Sequence, residues 1–147
     1  MFSVLELLDP TFRYAVEFRH LSWIRDETWD LLEEYKVVYV NVDEPLLASE
    51  AHLTADFSYF RWYGRGKQSW FDYRYSEEEL EEIVPKVEET SGKVKKVLGY
   101  FDNHFHGYAP EKCLHLLEGL NLLTEQQTRA KGRLSQKQSG LDRFFRQ

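Results

Sequence analysis

The chain has 147 residues, 42% hydrophobic and 30% charged, with a formal net charge of −6. That is enough for one domain with a modest core and excludes a disordered chain. No apolar run approaches membrane-spanning length, and no basic stretch leads into an apolar one at the N-terminus. The lone Cys113 excludes an internal disulfide and a thiolate metal cluster. The expectation is a cytoplasmic protein with no membrane partner.

The charge is uneven. From Arg129 onward the chain carries +5, which leaves −11 on the rest. An acidic body is a poor general binder of nucleic acid, and the basic tail reads as a separately solvated unit.

In chain order, Phe2 to Leu8 reads as the end of a helix stopped by Pro10. Arg13 to Arg19 alternates as a strand and ends in the charged pair Glu17 and Arg19. Asp26 to Tyr35 reads as a helix with Trp29, Leu31 and Leu32 inward. Val37 to Val42 is the nearly continuous apolar run of a buried parallel strand. A loop from Leu46 to Ala55 separates it from a third strand, Phe57 to Tyr63. Residues 67–75 form an aromatic-rich loop. Ser76 opens a helix with a capping box and continues to about Thr90, with Pro85 expected to kink it. Lys95 to Phe101 is a fourth strand, and a last helix runs from about Pro110 to Leu120, with Cys113 expected buried.

The order strand, helix, strand, strand, helix, strand, helix implies an α/β fold with a parallel sheet. Strand alternation places Tyr39, Asn41 and Asp43 on one face, Tyr59, Arg61 and Tyr63 on one face, and Val97, Gly99, Phe101 and Asn103 on one face. Polar groups delivered to the C-terminal end of four strands are the layout of a (β/α) barrel mouth.

The run Glu17-Phe18-Arg19-His20-x-Ser22-Trp23 resembles the DUF72 (YecE-like) TIM-barrel family. Thr54-Ala55-Asp56-Phe57-x-Tyr59-x-Arg61, followed by Gly64 and Arg65, is similar to the family's next strand. Tyr75-Ser76-x-Glu78-Glu79-Leu80 is similar to its capped helix. Phe101-Asp102-Asn103 with Gly107 and Ala109 is similar to its late strand and turn. The sequence departs from the family pattern at Leu21 (usually proline), Tyr63 (histidine), Asp102 (asparagine) and Lys112-Cys113 (Asn-Ala). The resemblance implies a parallel (β/α) half-barrel, the second half of a TIM barrel, over residues 1–123. Such a half leaves two sheet edges and the inner face open. A second half-barrel or a homodimer partner is therefore expected.

Glu17, Arg19, His20, Arg61 and Asn103 are the candidate catalytic residues. Arginines suit an anionic substrate through bidentate hydrogen bonds, and Glu17 can act as a base or orient an arginine. Asp43, Arg65, Trp70 and Tyr73 are the candidate substrate-binding residues, because interleaved aromatic and basic groups can stack sugars or bases. If the site is enzymatic, the chemistry is a hydrolase type. A divalent metal would draw on Asp43, His104 and His106, but their spacing is not diagnostic, and no cofactor is expected.

Residues 124–137 have no apolar stripe and read as a flexible basic polar linker. Residues 138–147 then carry Gln138-x-x-Leu141-x-x-Phe144-Phe145. This matches the PIP box, the peptide with which replication and repair proteins bind the sliding clamp PCNA. Leu141, Phe144 and Phe145 can plug an apolar pocket, and Gln138 supplies an amide. The leading expectation is an archaeal clamp-binding protein linked to DNA replication or repair, meeting DNA indirectly through the clamp. The alternative is one subunit of a TIM-barrel enzyme acting on a phosphorylated or nucleic-acid substrate.

Overall fold

The computed structural model describes residues 2–47, 51–66, 72–103 and 105–144, and of 2, 3 and 135–144 only the backbone. The elements are α1 (Phe2–Leu5), β1 (Ala15–Val16), α2 (Asp26–Glu34), β2 (Val38–Asp43), β3 (Phe57–Trp62), α3 (Glu77–Ser91), β4 (Lys96–Phe101), α4 (Tyr108–Gly119) and α5 (Glu125–Phe144). The four strands form one sheet in chain order, and every neighbouring pair is parallel. Parallel strands in chain order, joined by α2 between β1 and β2 and by α3 between β3 and β4, are the arrangement of half a (β/α) barrel, as the sequence predicts; no helix joins β2 to β3 among the described residues. The first strand is shorter than expected. Only Ala15 and Val16 join the ladder, opposite Val38 and Tyr39.

Register divides the sheet into two faces. Val42 lies opposite Arg61, which lies opposite Tyr100, while Asp43, Trp62 and Phe101 share the other face. The second face meets the helices. There Phe60 and Trp62 pack with Leu80, Ile83 and Val87 of α3 and Leu116 of α4. Phe18 and Tyr39 pack with Trp29, Leu31 and Leu32 of α2. All of β2 is buried, as its apolar run requires, whereas Lys96, Gly99 and Tyr100 of β4 are exposed. β4 pairs with β3 alone, so it is an open edge among the described residues.

Local chemistry explains the helix boundaries. The Ser76 hydroxyl accepts from Glu79 N, and the Glu79 carboxylate accepts from Ser76 N, the predicted capping box. Pro85 does not interrupt α3. It is exposed, so the backbone carbonyl its ring leaves without a partner is on the wet side of the helix. Cys113, expected buried, is exposed on α4.

The clearest departure from the sequence reading is α5. Residues 124–137 were expected as a linker, yet Glu125–Phe144 is helical. Thr124 and Gln127 form a second capping box: Gln127 N donates to Thr124 Oγ1, and Thr124 N to Gln127 Oε1. Lys131 pairs with Glu118 of α4, tying the new helix to the body. The absence of an apolar stripe hid the helix, although Gln, Arg, Lys and Ala are good helix formers.

Gly99 is where β4 meets the helix-side core. A Cβ there would lie 2.7 Å from the Trp62 ring, which is buried and stacked against Phe60 and Phe101. Gly99→Ala should therefore cost about 1–3 kcal/mol by overpacking. Urea denaturation measures it, and an unchanged midpoint would show that Trp62 has room to move.

Candidate functional site

The face turned away from the helices carries a network at the C-terminal ends of three strands. Glu17 follows β1, Arg61 is on β3, Tyr63 follows β3 and Asp102 follows β4. Arg61 Nη1 donates to Glu17 Oε2 at 2.7 Å. Its Nε and Nη2 reach Asp102 Oδ2 at 2.7 and 2.6 Å. Arg19 Nη2 reaches Glu17 Oε1 at 2.7 Å and donates to Tyr63 Oη at 2.8 Å. Tyr63 Oη in turn donates to Glu17, 2.9 Å from Oε1. Both guanidinium groups also lie over the Tyr63 ring, at 4.9 Å for Arg19 and 4.6 Å for Arg61.

Glu17 thus accepts from three side chains, and its side chain is only 12% exposed. A carboxylate so engaged is a good positioner of arginines. Burial opposes the charge on Arg61, but its bonds to Glu17 and Asp102 prevail and raise its pKa. Burial, then the bond to Glu17, pushes the Tyr63 phenol up to about 12. Arg19 is the accessible cation, with 56% of its side chain exposed. Below the charges, Tyr59 and Tyr100 stack at 5.2 Å.

Several predicted residues lie elsewhere. The expectation that Asp43 and Asn103 share the mouth with Arg61 is corrected by the register. Both lie on the helix-facing side, because Asp43 is opposite Trp62 rather than Arg61. Asp43 Oδ2 accepts from the Tyr75 hydroxyl, and Oδ1 from Arg65 Nε. Arg65 Nη1 and the Tyr73 hydroxyl both bind Glu79 Oε1. Asp43, Arg65 and Tyr73 therefore secure the start of α3 to the ends of β2 and β3. Asn103 is fully buried and donates to the Tyr73 carbonyl. His20 caps the 3₁₀ turn Leu21–Trp23, with Nδ1 accepting from Ser22 N, and is exposed. His106, in a left-handed backbone conformation, lies 3.8 Å from Asp72. No group of three or more metal-binding side chains gathers among the described residues. Trp70 and His104 lie outside the described residues.

Sequence reasoning gave no site role to three members of the inner face. Tyr63, placed on one face with Arg61, and Asp102, quoted in a family motif, were both set down as departures from the family pattern, yet they complete the Arg61–Glu17 network. Glu44, next to Pro45 at the end of β2, is buried at 6% exposure. Among the described residues, neither of its carboxyl oxygens has a hydrogen-bond partner. The alternation that places Val42 inward also places Glu44 there, a signal available from the sequence.

Four parallel strands with helices on one face and a charged cluster at the strands' C-terminal ends define a (β/α) half-barrel with half of a barrel mouth. The family model described as "Protein of unknown function DUF72" matches residues 1–138. The chain belongs to the DUF72 family. A DUF72 family protein of Thermotoga maritima is similar in structure with a TM-score of 0.72 at 36% identity, covering 75% of this chain and 46% of that one. A DUF72 family protein of Enterococcus faecalis is similar with a TM-score of 0.70 at 26% identity, covering 76% of this chain and 50% of that one. The chain thus spans about half the length of these solved relatives. No curated protein matches it. No helix among the described residues is long and apolar enough to cross a membrane.

Two measurements probe the network. Arg61→Met removes the cation between two carboxylates and should cost about 1–3 kcal/mol, less than a fully buried pair because Arg61 is partly exposed. Separately, Tyr39, Tyr63 and Tyr73 are each raised to about 12, chiefly by burial, from an ordinary 10.0. The folded state keeps these protons longer than the unfolded state. Their stabilisation is complete below pH 10 and should be lost as pH rises from 10 to 12. Denaturation midpoints across that window measure the slope, which Tyr63→Phe should flatten.

Proposed function

We propose that this chain supplies half of the active-site mouth of a TIM-barrel hydrolase acting on an anionic substrate. The carrying observation is the network of Glu17, Arg19, Arg61, Tyr63 and Asp102 at the strands' C-terminal ends. An isolated barrel remnant has no physical need for charges there. Glu17 and Asp102 hold Arg61 in place, and Glu17 with Tyr63 orients Arg19 toward the open side. Arg19 then offers its remaining N–H groups to a phosphate or carboxylate. The other half of the mouth comes from a first half-barrel on the same or another polypeptide, or from a second copy of this chain. The exposed edge of β4 and the half-exposed Tyr100, 50% accessible on the inner face, support such a partner. Both would be interior in a closed barrel.

A second reading rests on the C-terminal sequence. Gln138, Leu141, Phe144 and Phe145 have PIP-box spacing, and the family match stops at residue 138, where the motif starts. The motif is then an addition to the family body that recruits it to PCNA during DNA replication or repair. The side chains of Gln138, Leu141 and Phe144, and all of Phe145, lie outside the described residues.

Three experiments separate these readings. Arg19→Ala should weaken binding of inorganic phosphate at least tenfold while barely changing the melting temperature, since Arg19 is more than half exposed. Equal affinity of both proteins would remove the anion reading. Light scattering should find an assembly that Tyr100→Glu dissociates, and a stable, well-folded monomer would remove the partner. Calorimetric titration into PCNA should give heat that a Phe144→Ala, Phe145→Ala variant loses. Equal heats would end the clamp reading.

A further inference from the structure

The charges of α5 are sorted by face. From residue 125 to 134, Gln127, Lys131 and Leu134 are half-buried and the others exposed. Steps of four and three put those three on one side of the helix. Lys131 pairs there with Glu118 of α4 and lies beside Glu77 and Glu81 of α3, so this side meets the acidic body. Arg129 and Arg133 stand on the opposite side, four residues apart and exposed. The helical backbone continues, and Lys137 falls four residues further along that side. Three cations thus occupy a row about 12 Å long.

The body does little to balance this row. Arg129 lies 3.8 Å from Glu125, with the two side chains 78% and 94% exposed, which makes a weak pair. Arg133 has no carboxylate partner among the described residues. Like charges four residues apart destabilise a helix, and α5 keeps two such steps in succession. A polyanion laid along the row would turn that repulsion into attraction. The chain carries +5 from Arg129 onward against −11 elsewhere, so this row is the surface an otherwise acidic protein offers to a polyanion.

The surroundings of the row select among polyanions. Residues 125–137 have no apolar stripe to bury in a lipid surface. They also have no aromatic side chain on which unpaired bases would stack. A straight row of cations matches phosphates held in a fixed register, as in a duplex. The major groove of B-form DNA, about 12 Å wide, admits a helix between its phosphate walls, whereas that of duplex RNA is too narrow.

We propose that the outer side of α5 docks on the phosphate backbone of duplex DNA, without reading sequence, through Arg129, Arg133 and Lys137. This contact is direct and depends on neither the anionic-substrate reading nor the clamp reading.

The test titrates the full chain into a short fluorescent DNA duplex and reads anisotropy over a series of salt concentrations. Three phosphate contacts should make the logarithm of the binding constant fall with the logarithm of salt concentration at a slope of about −3. The Arg129→Gln, Arg133→Gln, Lys137→Gln variant should lose affinity about tenfold or more at low salt and most of that slope. Its helix content should be unchanged and its melting temperature no lower, because glutamine is a good helix former and the repulsion is gone. A Lys36→Gln, Lys93→Gln, Lys95→Gln variant removes as much charge from the body and should keep most of the affinity. Absence of DNA binding by the parent, binding insensitive to salt, or an equal loss in the body variant would overturn the proposal. So would equal affinity for duplex RNA, for poly-glutamate or for phosphatidylserine vesicles.

Discussion

Arg61 holds the mouth of this half-barrel together. Adjacent strands lie roughly 4.8 Å apart, so β1 and β3 are separated by about twice that, with β2 between them. On the inner face, β2 presents Val42 beside Arg61, a side chain short enough to be spanned. An arginine is long enough to cross it, and its planar fork can bind two carboxylates at once. One arm reaches Glu17 beyond β1, and the other side of the fork reaches Asp102 beyond β4. Three strand ends are thus fixed by one side chain. The paired charges cancel, which is what permits the cluster to be half buried.

The opposite face solves a different problem. There the sheet must be joined to α3, and the groups that do it are also polar. Asp43 is held by Tyr75 and Arg65, and Glu79 by Arg65, Tyr73 and the backbone of Ser76. Burial, then the charge of Asp43, raises the Tyr75 phenol, whose oxygen also accepts from Gly64 N. Two charged networks therefore occupy the same end of the sheet on its two faces. The helix-side one is closed by packing and reads as architecture. The inner one stays open and keeps an exposed arginine, which is why the proposed chemistry is assigned to it.

Membership of DUF72 accounts for the sheet and its helices but assigns no reaction, and a shared fold would not assign one either. The case for a function therefore rests on individual side chains. Arg19 is the accessible cation, held in place by Glu17 and Tyr63. The C-terminal segment adds a separate argument. Its backbone is a helix joined to α4 through Lys131 and Glu118, rather than the free linker its composition suggested. A clamp-binding peptide there would be presented from a structured arm.

Much of the fold was legible in the amino-acid order. Alternation in 13–19, the apolar run at 37–42 and the Ser76 capping box are local signals, and local physics fixes what they report. The family resemblance supplied the parallel half-barrel. Glu17, Arg19 and Arg61 were readable as charged strand ends for the same reason. Which polar residues meet was not readable, because that depends on register between strands, and one residue of offset moves a side chain to the opposite face. That offset carried Asp43 and Asn103 to the helices and set Asp102 beside Arg61 on the inner face. His20 became a local cap because its nearest donor was two residues away. Sequence alone determined the elements and the charges at their ends. Only the tertiary structure decided which charges face one another, because pairing across strands is a property of register, burial and reach rather than of any one segment.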